Sequence, residues 1–190
     1  RNHVFKEETP VVHDARWKLR TPRDSGTGWD FEDIRDFYFG KIFNQNPAQL
    51  RYSDSDRYFK LSEIVTGQLM HQAFSEWRSS YSNCAGGLIW FLKDFWPAAG
   101  WGILDSFGKP KACYYYLKRV WQPISIVVTD ESINSLHIHV INENNESLDA
   151  ELRLRVLAKN GQEIISGQTN VKLNGRSTIT LNSEEVLGRF

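Results

Sequence analysis

Two sequence patterns predict a chain in two parts, an α/β segment followed by an antiparallel β-sandwich of immunoglobulin type. The first is a short apolar run, residues 88–92, between amphipathic stretches with helical spacing. A buried strand flanked by helices is typical of a parallel α/β sheet. The second is a change after Pro123, where short alternating runs are separated by turn signals such as Asn160-Gly161. That pattern is typical of antiparallel sheets.

The amphipathic stretches before Pro123 are expected to be helices. Asp30 is a suitable N-cap for the first, and apolar residues recur after it at intervals of three and four. The third has Pro in its first turn, as helix starts prefer. The predicted helices run from Asp30 to about residue 44, from Asp56 to Ser80 and from Pro110 to Trp121.

The apolar run of residues 88–92 is predicted to be a buried strand that ends in a loop rich in aromatic, acidic and Pro residues. Parallel α/β sheets present their sites at the carboxyl ends of strands, so this loop is the candidate site. One strand is not a complete sheet. We therefore expect residues 1–122 to be the tail of a larger domain.

The segment after Pro123 is expected to consist of short antiparallel strands. Alternation with period two is clearest in residues 150–157, which predicts one polar and one apolar face. The segment is short for an immunoglobulin-type sandwich, so we expect its last strands to be missing. The predicted strands are residues 124–128, 136–141, 150–157, 163–166, 170–173 and 177–181.

The composition is that of a globular protein with an unusual number of aromatic residues. The chain has 190 residues, 41% of them hydrophobic, with 23 basic and 23 acidic residues. This zero net charge favours neither a nucleic acid nor an anionic membrane as partner. The seven Trp, seven Tyr and eleven Phe residues would suit a carbohydrate site, although aromatic residues fill cores more often.

The ends of the chain and its two cysteines say little about its compartment. The N-terminal residues lack the apolar region of a signal peptide and an initiator Met, which indicates a processed chain or a fragment. Cys84 and Cys113 are too few for a disulfide framework, and we expect both to be free and buried. These features slightly favour the cytoplasm, and the compartment stays open.

His137 and His139 are the residues in the β segment with a spacing that could hold a metal, because they share one face of a predicted strand. No third ligand is close in sequence, so an ordinary packing role is preferred. We expect no metal and no cofactor.

Residues 90–97 read WFLKDFWP, which resembles the WQLND-x-WP pattern on the eighth barrel strand of glycoside hydrolase family 2, in its β-mannosidase branch. Phe91 and Lys93 stand where the family has Gln and Asn. Residues 100–112, GWGILDSFGKPKA, are similar to the family's link into the eighth helix. Residues 114–119 and the pair Gln122-Pro123 resemble that helix and its exit into a sandwich.

This resemblance implies a domain arrangement and a chemistry. Residues 1–122 would be the C-terminal part of a (β/α)₈ barrel, and residues 123–190 an immunoglobulin-like sandwich. The family hydrolyses terminal β-linked sugars with retention, using two glutamates about 5 Å apart. Both would precede Arg1, so no catalytic residue is expected in this chain. Its partners would be a carbohydrate substrate and the missing N-terminal part of the same protein, with no nucleic acid and no membrane.

The resemblance also implies candidate substrate-binding residues around the aromatic stretch. Trp90 would form the wall of a sugar subsite, the alternative being a core Trp. Asp94 could bind a sugar hydroxyl or accept hydrogen bonds from loop amides. Trp96 and Trp101 would line the cleft, or simply pack, and Trp29 would overhang it from the N-terminal loop or serve there as an apolar anchor.

A second interpretation is not enzymatic. The chain could be part of an accessory carbohydrate-binding or structural module from a degenerate homologue that has lost its chemistry. Turnover of nitrophenyl glycosides by the complete protein distinguishes the two.

Overall fold

The computed structural model describes Asp14, Arg16, Arg20, residues 31–98 and residues 100–188. The chain divides into two compact units. One comprises residues 1–71 with 88–117, and the other comprises residues 72–87 with 118–190. The N-terminal loop with Trp29, and the predicted N-cap Asp30, lie outside the described residues. The predicted domains, 1–122 and 123–190, remain a prediction.

The predicted helices are present, with boundaries that shift by one or two residues. Asn46 caps a short helix that was not predicted, accepting a hydrogen bond from the backbone N–H of Gln49 at 3.2 Å, with Pro47 in its first turn. The Asn-Pro pair was the signal for it. The helices are α1 Phe31–Phe43, α2 Pro47–Ser53, α3 Ser55–Arg78 and α4 Ala112–Val120.

Tyr58 is the centre of the contacts among α1, α2 and α3. Its ring is fully buried, and its hydroxyl donates to Asp36 Oδ1 at 2.7 Å. The other carboxylate oxygen of Asp36 lies 2.5 Å from an Arg51 guanidinium nitrogen. Burial raises the pKa of Tyr58, and the neighbouring Arg35 opposes that rise. Apolar side chains close the cluster: Phe39 and Val65, with Phe43, Leu50, Phe59, Leu61 and Leu69 around them.

The predicted strand at residues 88–92 does not form, and this is the main error of the sequence analysis. Leu88 is 99% exposed and Leu92 is 64% exposed. A strand needs hydrogen-bonding partners on its edges. Among the described residues, the nearest equivalent is an isolated parallel bridge between Lys93 and Leu104. The apolar run therefore indicated a buried strand, but among the described residues no strand of either sheet pairs with it.

Two antiparallel sheets form a β-sandwich in the second unit. One has the strand order β1-β2-β5, and the other pairs β3 with β4. The antiparallel sandwich is therefore confirmed in outline, whereas its immunoglobulin type stays a prediction. The strands are β1 Ile124–Asp130, β2 Leu136–Asn142, β3 Leu148–Leu157, β4 Glu163–Leu173 and β5 Ser177–Asn182.

The core of the sandwich draws its side chains from both sheets. Ile138 of β2 is 2% exposed and Leu173 of β4 is 1% exposed, and they belong to one apolar cluster. A short helix that was not predicted, α5 Ser183–Leu187, contributes Val186 to the same cluster. Its N-cap is Asn182, whose side chain accepts from the N–H of Glu184.

Strand β4 is continuous, although the sequence predicted two strands separated near Gly167. The reason is that Gly167 serves a close approach and not a turn. A Cβ at this position would lie 2.0 Å from the carbonyl oxygen of Val186 in α5. The glycine thus allows α5 to pack directly against the backbone of β4.

The two cysteines are both free, as predicted, but only one of them is buried. Cys113 lies inside α4, and burial raises the pKa of its thiol. Cys84 is exposed, so the prediction of its burial is wrong. It follows α3 in an irregular segment whose predicted continuation into a buried strand is absent.

Candidate functional site

A small apolar hollow lies in the aromatic stretch that the sequence analysis selected. Its volume is about 290 Å³. Aromatic rings form most of its wall, and Asp94 is the charged residue among its described lining residues. Such a surface suits a ligand with a flat apolar face and polar groups around its rim. Its lining residues are Phe91, Asp94, Phe95, Trp96, Ala98, Gly100 and Trp101.

Asp94 is the buried polar residue of this hollow, at 5% exposure. Its Oδ1 accepts a hydrogen bond from the backbone N–H of Gly102 at 2.8 Å. Its Oδ2 lies 2.5 Å from the ammonium of Lys111. The same ammonium donates to the carbonyl oxygen of Gly100 at 3.0 Å. Asp94 therefore does accept a loop amide, which is one of its two predicted roles.

The backbone around Asp94 joins the stretch before the hollow to the stretch after it. The N–H of Asp94 donates to the carbonyl of Leu104 at 3.1 Å, and the N–H of Leu104 donates to the carbonyl of Leu92 at 2.9 Å. The N–H of Lys111 donates to the carbonyl of Ile103 at 3.0 Å, which brings the start of α4 to the same place. These bonds place Lys111 beside Asp94.

The predicted tryptophans differ in their positions. Trp96 and Trp101 line the hollow and are 61% and 46% exposed. Trp101 packs edge-on against Phe31 of α1, with ring centroids 5.9 Å apart. Trp90 is 76% exposed and is not among the described residues that line the hollow. Their roles in substrate binding stay predictions, as does that of Trp29, which lies outside the described residues.

Lys111 and the aromatic pair Phe91 and Phe95 were not among the predicted site residues. Lys111 had been noted only as part of the link into α4. Its pairing with Asp94 depends on a turn between them that returns the chain, and periodicity does not reveal such a turn. Phe91 and Phe95 lie 5.5 Å apart between ring centroids and were noted only as parts of a motif.

A second buried polar cluster surrounds His139 in the sandwich unit. His139 is fully buried. The backbone N–H of Ser80 points at its Nδ1, at 3.4 Å, so Nδ1 is an acceptor. Thr180 Oγ1 also lies 2.9 Å from this atom. The proton therefore resides on Nε2, 3.0 Å from Thr129 Oγ1, which in turn donates to Glu131 at 2.7 Å.

His137 and His139 share one face of β2, as predicted, because the ring of Tyr81 contacts both. Burial lowers the pKa of His139, and the neighbouring His137 lowers it further. Within the described residues, no group of three or more His, Cys, Asp or Glu side chains is arranged to hold a metal ion. Both rings instead contribute to the packing between the end of α3 and the sheet.

A wider hollow of about 800 Å³ lies in the same unit. The Arg78 guanidinium lies 2.8 Å from Glu143 at its edge and donates to the backbone carbonyl of Gln122 at 3.1 Å. Phe74 packs edge-on against Trp77 and Trp121 beside them. None of the predicted site residues that the structure describes, Trp90, Asp94, Trp96 and Trp101, lines this hollow.

Among the described residues, no helix has the length and apolar character needed to span a membrane.

Comparison with known proteins connects the chain to β-mannosidases. No family model matches it. It is 32% identical to Beta-mannosidase B of Aspergillus niger over 106 residues, which cover 54% of this chain and 13% of that protein. It is 24% identical to Beta-mannosidase B of Aspergillus fumigatus over 184 residues, which cover 82% of this chain and 22% of that protein. The chain thus matches about a fifth or less of the length of these curated relatives.

Solved structures share the fold. A β-D-mannosidase from Dictyoglomus thermophilum matches 68% of this chain and 16% of its own, with a TM-score of 0.57 and 23% identity. The exo-chitosanase of Amycolatopsis orientalis, in complex with PNP-β-D-glucosamine, matches 86% of this chain and 20% of its own, with a TM-score of 0.60 and 19% identity. The β-mannosidase-like relationship inferred from residues 90–123 is confirmed by the curated relatives.

Proposed function

We propose that the complete protein is a glycoside hydrolase of the β-mannosidase type that removes terminal β-linked sugars with retention. The observation that carries this proposal is the similarity to Beta-mannosidase B, which extends over 82% of the chain in one relative. The aromatic hollow beside Asp94 supports it, because sugar rings present flat C–H faces that pack on aromatic rings.

In this proposal the chain contributes to the wall of the substrate pocket, and the rest of the protein contributes the reactive carboxylates. Residues 1–122 supply the end of the catalytic barrel and residues 123–190 begin a sandwich of immunoglobulin type. A retaining mechanism needs an acid/base and a nucleophile about 5 Å apart. Glu32 lies in α1, and Glu63 and Glu76 lie in α3. The sequence predicted these helical positions. Catalytic carboxylates of a barrel enzyme instead lie at the ends of its strands.

Tryptophan side chains form the substrate-binding surface in this proposal. Trp96 and Trp101 form the hollow's aromatic wall, and Trp90 presents a further ring at 76% exposure. Large aromatic side chains are costly to leave in water, so such exposure favours a surface reserved for a ligand or for another part of the protein. Trp29 belongs to the proposal on sequence grounds alone.

The test is hydrolysis by the complete protein of nitrophenyl β-mannoside, β-glucoside, β-galactoside, β-glucuronide and β-glucosaminide. We expect turnover of at least one, with β-mannoside first in kcat/KM. Phe91 and Lys93 replace the Gln and Asn of the β-mannosidase pattern, so the comparison among the five glycosides tests the sugar preference separately from hydrolysis. Proton NMR of the first product separates the anomers and tests retention.

Two results contradict the proposal in different ways. Turnover of none of the five glycosides, by protein shown to be folded, overturns the enzymatic function. Binding of a sugar without turnover, measured by calorimetry, would instead support the non-catalytic carbohydrate-binding module. Turnover with inversion would keep the hydrolase and reject the retaining mechanism.

A further inference from the structure

We propose that Asp94 and Lys111 are positioning residues, which hold the two sides of the aromatic hollow together, and that Asp94 is not itself a ligand of the sugar. This inference rests on the proposed function for the identity of the ligand. It concerns the same hollow and chooses between the two roles that the sequence left open for Asp94.

Asp94 connects the two stretches of chain that carry Trp96 and Trp101. Asp94 lies in the stretch that carries Phe95 and Trp96, and Gly102 follows Trp101 on the opposite stretch. The 2.8 Å hydrogen bond from the Gly102 N–H to Asp94 Oδ1 joins these two stretches directly. The separation of the two tryptophan-bearing stretches is therefore set by a carboxylate between them.

Lys111 completes this arrangement from the start of α4. Its ammonium lies 2.5 Å from Asp94 Oδ2 and also donates to the carbonyl of Gly100 at 3.0 Å. One cation thus contacts both sides of the hollow. Because the carboxylate side chain is 4% exposed, little of its surface remains for a sugar hydroxyl.

Two glycines make this close approach sterically feasible. A Cβ on Gly100 would lie 2.2 Å from Asp94 Oδ1, and a Cβ on Gly102 would lie 2.6 Å from the same oxygen. Any other residue at these positions would push the carboxylate out of its place. Glycine is thus needed at 100 and 102 for the Asp94 side chain to lie between the two stretches.

The energetics of a buried ion pair suggest how to test its role. Removing one partner leaves an uncompensated buried charge, which costs more than replacing both partners with neutral groups. Lys111→Met leaves the carboxylate without its cation. Asp94→Asn/Lys111→Met removes both charges, and the Asn oxygen still accepts the N–H of Gly102. The double variant should therefore be closer to the wild type than Lys111→Met is.

The experiment measures kcat and KM of the complete protein with its best nitrophenyl glycoside. We expect Lys111→Met to raise KM about tenfold with kcat retained within a factor of about two, because a displaced wall weakens ground-state and transition-state binding alike. Adding Asp94→Asn to Lys111→Met should lower KM most of the way back to the wild-type value. Lys109→Met is the matched control, since it removes an exposed charge two residues away, and it should change neither constant.

The opposite pattern overturns the proposal. If Asp94 binds the sugar, Asp94→Asn adds its own loss to that of Lys111→Met, and KM rises further in the double variant. If the pair stabilises only the fold, Lys111→Met lowers the melting temperature and leaves KM unchanged. Either result rejects a positioning role.

A second readout keeps this test separate from the proposed function. Hydrogen exchange of the peptide covering residues 94–104 needs no substrate. Lys111→Met should speed exchange there, and Asp94→Asn/Lys111→Met should restore slower exchange. If the wild type hydrolyses none of the glycosides, the proposed function fails while this exchange result still decides whether the pair holds the two stretches together. Unchanged exchange in Lys111→Met would overturn the proposal.

Discussion

The sandwich and the stretch around the aromatic hollow differ in which side chains they bury and which they expose. In the sandwich, Ile138 and Leu173 are nearly inaccessible and belong to one core. In the stretch around the hollow, Phe95 is 90% exposed, whereas Asp94 is 5% exposed. The ordinary preference puts apolar groups inside and charges outside. This preference is reversed at Phe95 and Asp94, as the proposed ligand-binding surface would require.

Each region also buries a polar side chain, and the partners of that side chain differ between the two regions. His139 is fully buried and forms hydrogen bonds with hydroxyl and amide groups. Asp94 is paired with the cation of Lys111. The hydrogen bonds of His139 join the end of α3 to strands of the sheet, whereas the ion pair joins the stretches that line the hollow. The difference predicts that substitutions in the sandwich change stability first and substitutions in the hollow change binding first.

The largest effect on stability is expected for Ile138→Ala in the sandwich core. Removing a buried aliphatic side chain of this size costs about 2–5 kcal/mol of the free energy of unfolding. Hydrogen exchange of peptides from β2 and β5 in the complete protein should accelerate accordingly. Ile126→Ala in the adjacent strand is the matched control, because Ile126 is 53% exposed. Equal acceleration in both variants would contradict the assignment of the core.

A smaller loss of stability is expected when the pH is lowered, and it arises from His139. Burial lowers the pKa of the folded His139 from its ordinary value of 6.5, so below that value the unfolded chain binds more protons than the folded chain. The contribution of His139 to stability is therefore complete above about pH 6.5. It falls as the pH drops toward the lower folded pKa.

Several charged and polar groups face His139 and enter this balance. His137 lowers its pKa further, whereas Glu131 and Glu76 raise it. Exchange in β2 and β5, corrected for intrinsic rates, should accelerate between pH 7 and pH 5. His139→Asn keeps an acceptor near the Nδ1 position and removes the titrating ring, so it should flatten this dependence. A wild-type profile as flat as that of His139→Asn would show that His139 does not titrate in this range.

The sequence predicted well those elements whose partners are close along the chain. The helix Ser55–Arg78 and the hairpin of β3 and β4 around Asn160-Gly161 lie within a few residues of their predicted positions. Here the apolar periodicity and the turn residues describe the same contacts that the structure contains. The continuous β4 was missed because Gly167 has two explanations, a turn or a close contact, and only the position of α5 decides between them.

The sequence predicted which stretch carries the candidate site, but it did not predict how the side chains there contact one another. The motif at residues 90–97 selected a stretch that lines the aromatic hollow, yet its apolar residues indicated a buried strand that the structure does not contain. The pairing of Asp94 with Lys111 links residues 17 apart in the chain (111 − 94) across an irregular turn. Side-chain spacing in regular elements carries no information about such a contact.

The most direct test of the contrast between the buried core and the exposed aromatic stretch is Trp90→Ala in the complete protein, because Trp90 begins the motif of that stretch. Its kinetics and thermal unfolding are measured together. Because Trp90 is 76% exposed, we expect a change in stability within about 0.5 kcal/mol. We also expect kcat/KM to fall by about tenfold or more if the ring contacts the sugar. Tyr115→Ala, which truncates a 57% exposed aromatic ring on α4, should change neither quantity. Severe unfolding of Trp90→Ala with its kinetics preserved in the remaining folded fraction would show that Trp90 is a core residue and contradict the account.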